Sequence, residues 1–205
     1  MIGILNVGLG NIQSVYNAIY ENGYDPVLVD SPEQLEELTH FVLPGVGNFS
    51  AVMSLLDQLG FIEPIKAYID SGKPTLGICL GMQLLATLGT EGGQSNGFGF
   101  IPAKVEPLDK SLGFRIPHVG WNEVSFAQQH PIFEDIKDHR DFYFVHSFHM
   151  TCSEQQHILA TTDYCQGFVS VVGAKNVVGV QFHPEKSQKN GMQLLENFCE
   201  WDGQC

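Results

Sequence analysis

The sequence predicts an α/β fold: a central, mostly parallel sheet flanked by helices, with antiparallel strands added in the C-terminal half. Two observations predict it. Through Ile78, short apolar runs alternate with segments of helical periodicity, the pattern of parallel strands joined by right-handed crossovers. From Phe100 onward, short β-like runs follow one another closely, which suggests antiparallel strands added to the sheet or packed beside it.

The elements follow in order. Ile2 to Val7 is an apolar run that ends in the glycine turn Gly8-Leu9-Gly10-Asn11, and Ile12, Val15, Tyr16 and Ile19 then recur at helical spacing. Pro26 to Val29, Phe41 to Leu43 and Thr75 to Ile78 are further strands, with amphipathic helices predicted over Ser50 to Leu59 and Ile62 to Ile69. The β-like runs of the second half are Ile101 to Val105, Glu123 to Phe126, Phe142 to Val145, Ile158 to Thr161, Phe168 to Val172 and Val177 to Phe182. A helix from Met192 to Phe198 closes the chain. Without an internal repeat or low-complexity linker, residues 1–205 read as a single domain.

Composition narrows the function classes. A formal net charge of -13 argues against sequence-independent attraction to nucleic acid or to an anionic membrane surface. The five cysteines, Cys79, Cys152, Cys165, Cys199 and Cys205, form no CxxC pair and suit neither a disulfide scaffold nor a zinc site. His118, His146 and His149 lack metal-ligand spacing. The N-terminus has no signal-peptide pattern and no apolar run is long enough to span a membrane, so a soluble protein of the reducing cytoplasm is expected.

Three local patterns carry chemistry. In Gly77-Ile78-Cys79-Leu80-Gly81 a thiol sits on a strand-to-helix corner, where flanking glycines relieve crowding and a helix starting near Met82 turns its N-terminus toward the sulfur. Read alone, Cys79 is more commonly a small buried hydrophobe. In Gln181-Phe182-His183-Pro184-Glu185, residues two apart in an extended segment point the same way, so His183 can face the thiol while Glu185 holds its tautomer. Pro44-Gly45-Val46-Gly47-Asn48 follows a buried strand and leaves backbone N–H groups free to bind an oxyanion, or is an ordinary turn. The Gly8-Leu9-Gly10 turn lacks the third glycine of a dinucleotide site.

Taken together, Pro44-Gly45-Val46-Gly47, Leu76-Gly77-Ile78-Cys79-Leu80-Gly81-Met82-Gln83 and Gln181-Phe182-His183-Pro184-Glu185-Lys186-Ser187 resemble the three signatures of the class I, or triad, glutamine amidotransferases. Pro117-His118-Val119-Gly120-Trp121-Asn122 and Tyr143-Phe144-Val145-His146-Ser147 resemble, within that family, the glutaminase subunits of imidazole glycerol phosphate synthase. The likeness runs from Ile4 to the last helix. It implies a flavodoxin-like fold, L-glutamine as substrate, no metal and no cofactor. It further implies a Cys79, His183 and Glu185 triad, oxyanion donors at Val46 and Leu80, and substrate contacts at Gly47, Gln83, Glu91 and Ser147.

Acceptor chemistry is expected on a separate (β/α)8 synthase partner, forming a heterodimer that takes ammonia across a sealed interface. Asn11 and Trp121 match positions facing that partner; for Trp121, core packing is the alternative. Because hydrolysis without an acceptor wastes glutamine and the glycines make a peptide rotation sterically cheap, the Pro44 to Gly47 segment is expected to be misoriented in the free subunit and to turn one N–H inward on docking. Two departures stand out: Asn6-Val7-Gly8 replaces an acidic residue and an aromatic, and Ser147-Phe148-His149 replaces Ser-Tyr-Tyr. They leave open a paralogue serving surface-polysaccharide sugar biosynthesis. A catalytically silent, partner-stabilising subunit and a cysteine hydrolase of peptides or γ-glutamyl tails are the other readings.

Overall fold

The computed structural model describes residues 1–8 and 10–204, so Leu9 of the first glycine turn and Cys205 lie outside the described residues. In chain order the elements are β1 (Ile2–Leu5), α1 (Ile12–Glu21), β2 (Val27–Val29), β3 (His40–Gly45), α2 (Phe49–Gln58), α3 (Ile62–Asp70) and β4 (Thr75–Cys79). Then come α4 (Leu80–Leu84), β5 (Ala86–Gly89), β6 (Ser95–Asn96), β7 (Ile101–Pro107), β8 (His118–Phe126) and β9 (Arg140–His146). The chain ends with β10 (Phe148–Cys152), β11 (Ile158–Thr162), β12 (Phe168–Ala174), β13 (Val177–Val180) and α5 (Gln188–Glu200).

Nine strands form the main sheet in the order β2-β1-β3-β4-β13-β12-β11-β8-β9. The stretch from β2 to β13 is parallel, and β12, β11, β8 and β9 extend it antiparallel. A second sheet, β10-β7-β5-β6, lies apart from it in the pairing scheme. Strand alternation explains the layering. On β3, Val42 packs with residues of α1 and α5, whereas Phe41 and Leu43 pack with α2, α3 and the second sheet. Phe41 and Leu43 are fully buried, each worth roughly 1.5–3 kcal/mol of transfer free energy.

One strand differs from the sequence reading. Val177 to Val180 falls among the runs expected to be antiparallel, yet β13 pairs parallel with β4, from Val177↔Thr75 to Val180↔Ile78. A tight hairpin turns the chain at Lys175 and Asn176, and β13 slots between β12 and β4. Glycines make this possible: Gly179 lies opposite Gly77, and a Cβ on Gly179 would stand 2.7 Å from Met82 Cγ. Consequently Gln181 and His183 leave the sheet beside Cys79.

The sequence also passed over β5, β6 and β10. β5 and β6 form a short local hairpin in which β6 is two residues long, and β10 pairs with the distant β7. Helix α5 starts earlier than expected, at Gln188. Among the described residues, no helix is long and apolar enough to cross a membrane.

Candidate active site

Cys79 is the last residue of β4 and has φ 55 and ψ -110, a left-handed backbone at a non-glycine position. Such a conformation costs on the order of 1–3 kcal/mol and persists only where neighbours over-determine it. The neighbours here are backbone. A Cβ on Gly77 would lie 2.7 Å from the Gly81 carbonyl and the Met82 nitrogen, and one on Gly81 would collide with the Leu43 carbonyl. Helix α4 begins at Leu80, two residues before the expected start, and lasts a single turn before the chain enters β5. Its support for the sulfur is therefore the unpaired N–H groups of that turn more than a long macrodipole.

His183 arrives by way of β13. His183 N donates to the Tyr143 carbonyl at 2.9 Å, which ties the turn after β13 to β9. His183 Nδ1 and Glu185 Oε1 are 2.8 Å apart, and both side chains are almost completely buried. Extended backbone does not produce this pair, as the sequence reading assumed: Pro184–Lys186 is a 3₁₀ turn that folds Glu185 back onto the imidazole. Ser187 clamps the turn, its Oγ donating to the His183 carbonyl at 2.6 Å and accepting from Tyr143 N at 3.0 Å. Because the carboxylate only accepts, Nδ1 carries the proton and Nε2 is left for the site. His183 Nε2 and Glu185 Oε2 are buried without a hydrogen-bond partner. Burial by itself would lower the His183 pKa, but the neighbouring Cys79 and Glu185 outweigh it and raise the pKa to about 9.

A cavity of about 260 Å³ opens beside Cys79 and His183. It brings together every residue the sequence assigned to oxyanion or substrate contact: Val46, Leu80, Gly47, Gln83, Glu91 and Ser147. Glu91 is half-buried and its Oε2 accepts from Phe49 N at 3.1 Å. Burial raises its pKa, and the Phe49 hydrogen bond opposes the rise. Gln83 Nε2 donates to the Phe148 carbonyl at 3.0 Å and to Gln181 Oε1 at 2.9 Å. Both amide hydrogens are thus spent, and Gln83 Oε1 is the atom suited to accept from a ligand.

Several residues escaped the sequence reading. Gln181, fully buried, directs Nε2 at Cys79 Sγ over 3.8 Å. His118 and His146 meet with Nδ1 and Nε2 2.9 Å apart, and His146 Nδ1 donates to the Phe148 carbonyl at 2.8 Å. Burial pushes the pKa of His118 down to about 4, and that of His146 down to about 3 despite the Phe148 bond. Their meeting depends on the β8–β9 register, His118↔His146, which no local signal in the sequence carries. The Phe148 contact comes from backbone, so the absent tyrosine hydroxyl does not affect it. Asn6, at the other departure, donates from Nδ2 to Asp30 Oδ1 at 2.6 Å.

Trp121 is 47% exposed and packs edge-on against Tyr143, so it is not a core residue. Asn11 is exposed and its side chain does not cap α1. Cys152 and Cys199 are raised to about 11 and about 12, chiefly by burial. Cys165 is free, and no disulfide occurs among the described residues.

The glutamine amidotransferase class-I family model matches residues 4–201. The chain is 44% identical over 199 residues to imidazole glycerol phosphate synthase subunit HisH 2 of Methanococcus maripaludis, covering 97% of this chain and 98% of that one. It is 43% identical over 201 residues to imidazole glycerol phosphate synthase subunit HisH of Desulfitobacterium hafniense, covering 98% and 94%. Among solved structures, PurLQS from Thermotoga maritima superposes with a TM-score of 0.78 at 16% identity, covering 97% of each chain. The family model and these near-full-length matches place this chain in the class I glutamine amidotransferase family.

Proposed function

We propose that this chain, as a single amidotransferase domain, is the glutaminase subunit of an imidazole glycerol phosphate synthase. One observation carries the reading: Cys79 and the distant His183, backed by Glu185, meet at a small cavity whose walls include Gln83, Glu91, Val46 and Leu80. Glu91 carboxylate and Gln83 Oε1 present acceptors to the α-ammonium of L-glutamine, and Gly47 and Ser147 border the rest of the substrate.

The Cys79 sulfur, as thiolate, attacks the side-chain amide carbon. A C–S bond forms and the negative charge moves to oxygen, which the N–H groups of Val46 and Leu80 receive, a contribution of about 10²- to 10³-fold per donor. His183 Nε2 then gives its proton to the amide nitrogen, the C–N bond breaks and ammonia leaves. Neutral His183 next takes a proton from water, the resulting hydroxide attacks the thioester carbon, and the C–S bond breaks to return thiolate and glutamate. Throughout, Glu185 holds the imidazole by Nδ1 and stabilises its charged form.

Ammonia passes to a (β/α)8 synthase subunit docked over the exposed Val46, Trp121 and Asn11, in the cytoplasm. Before docking, the Pro44 to Gly47 segment rests with its oxyanion N–H turned away, and Gly47, at φ 116, makes the peptide rotation cheap. The test is glutamate release from L-glutamine by the chain alone, and with the barrel and its nucleotide substrate. Strong activation, lost by at least about 10³-fold in Cys79→Ala, is expected. A rate indifferent to the barrel would assign the subunit to another synthase, and high turnover by the isolated chain would refute the resting loop.

A further inference from the structure

A chain of hydrogen bonds that starts at an atom able only to accept fixes the orientation of Gln181. The Phe148 carbonyl takes donors from His146 Nδ1 at 2.8 Å and from Gln83 Nε2 at 3.0 Å. Gln83 must therefore present nitrogen to it, not oxygen. The second hydrogen of that nitrogen points to Gln181 Oε1 at 2.9 Å, which leaves Gln181 Nε2 facing Cys79 Sγ at 3.8 Å. Gln181 is fully buried, one residue beyond the Val180↔Ile78 register pair, so the sheet itself sets the carboxamide beside the sulfur. Elsewhere the sulfur faces the Val145 carbonyl at 3.9 Å, which welcomes a thiol hydrogen and opposes a thiolate.

We propose that the Gln181 carboxamide is a catalytic group of the glutaminase, its Nε2–H holding the Cys79 sulfur as an anion and fixing it against the cavity. The proposal rests on the amidotransferase reading. The proton on His183 Nε2 must leave for ammonia during turnover. Gln181 supplies a donor whose protonation never changes, so the sulfur stays in register while His183 loses and regains its proton. A carboxamide suits the position because it links two partners: its oxygen is anchored by Gln83, and only then is its nitrogen aimed.

The test is the pH dependence of Cys79 alkylation by iodoacetamide on the full chain, with Cys79→Ala reporting the other thiols. Gln181→Met keeps the volume and removes the donor; Gln181→Glu puts carboxylate oxygen against the sulfur. The midpoint is expected to rise by about one pH unit in Gln181→Met, a roughly tenfold slower alkylation near neutrality, and further in Gln181→Glu, with kcat falling more than KM changes. Unchanged midpoints in both variants with a native circular dichroism spectrum overturn the proposal. Should the variants fail to fold, the wild-type chain labelled with ¹⁵N in glutamine side chains decides. One carboxamide signal should titrate with the alkylation midpoint and stop doing so in Cys79→Ser, and no such signal overturns the proposal. Alkylation needs neither glutamine nor a partner, so failure of the glutaminase reading appears separately, in glutamate release.

Discussion

The parallel and antiparallel halves of the main sheet place side chains by different means. In the parallel half the backbone sets the site: Gly77, Gly179 and Gly81 let α4 settle onto β3, β4 and β13, and Cys79 is held in a left-handed conformation by that contact. In the antiparallel half, side chains set it, through the His118–His146 pair and the Trp121–Tyr143 contact, with Ser187 bracing β9 against the turn after β13. Each half is vulnerable in a different way. The backbone-built corner tolerates no added atom, whereas the side-chain-built wall tolerates substitution but titrates.

The largest expected effect breaks the corner. In Gly81→Ala the new methyl meets the Leu43 carbonyl, and backbone on both sides of the contact has no flexible end to yield. Urea unfolding should show a loss of more than about 3 kcal/mol, with glutamine hydrolysis abolished. Val119, on β8, is 55% exposed, and Val119→Ala should change stability by less than about 0.5 kcal/mol. Comparable losses in the two variants would erase the contrast.

Next in size is Glu185→Gln, which tests the bridge between the halves. The folded chain raises His183 from 6.5 to about 9, so the imidazolium pairing contributes stability that is complete below pH 6.5 and lost as pH rises through about 9. Removing the carboxylate charge lowers kcat by on the order of 10²-fold or more. It also moves the alkaline limb of the kcat–pH profile down from near 9. A limb that stays in place would mean that Glu185 does not govern the charge on His183.

A smaller effect concerns acid. His118, lowered by burial from 6.5 to about 4, stays neutral in the fold and takes up a proton more readily once unfolded. Native stability therefore falls as pH drops below 6.5, by about 3 kcal/mol from this group once pH is below both values. His118→Phe keeps the ring, which stacks on Tyr164 at 3.9 Å, and loses the bond to His146. It should cost about 1 kcal/mol at neutral pH and flatten the decline between pH 6.5 and 4. An unaltered acid profile would locate the titration elsewhere.

The same division explains what could be read from the sequence. The corner was legible because its causes are local: two glycines around Cys79, a glycine-rich loop at the end of β3, and the short His183-Pro184-Glu185 segment. Even there, the 3₁₀ turn that makes the histidine–carboxylate pair and the parallel placement of β13 were missed, since both depend on what β13 packs against. The wall was legible only through resemblance. Ser147 reaches the cavity from between β9 and β10, far along the chain from Cys79, and the pairing of His118 with His146 exists only once β8 and β9 are in register. Gln181 stood in plain view within a motif, but a buried amide aimed at sulfur has no periodic or spacing signature.

Trp121→Ala should disturb the fold least. The indole lies on the alternate, outward positions of β8 with Val119 and Glu123, while His118 and Val124 face inward. Its contact is Tyr143, whose carbonyl holds His183 N and whose ring lies 5.9 Å from Lys186 Nζ. An exposed aromatic of this size contributes little to stability, so Trp121→Ala should unfold within about 0.5 kcal/mol of the parent. A partner surface would use it as an anchor, at a cost of about 2 kcal/mol or more in binding. Activation by the synthase barrel should then require about thirtyfold more barrel, while the pH midpoint of Cys79 alkylation stays fixed. A shifted midpoint would show that the wall reaches the nucleophile through β9 even without a partner, and the two halves would not be separable at all.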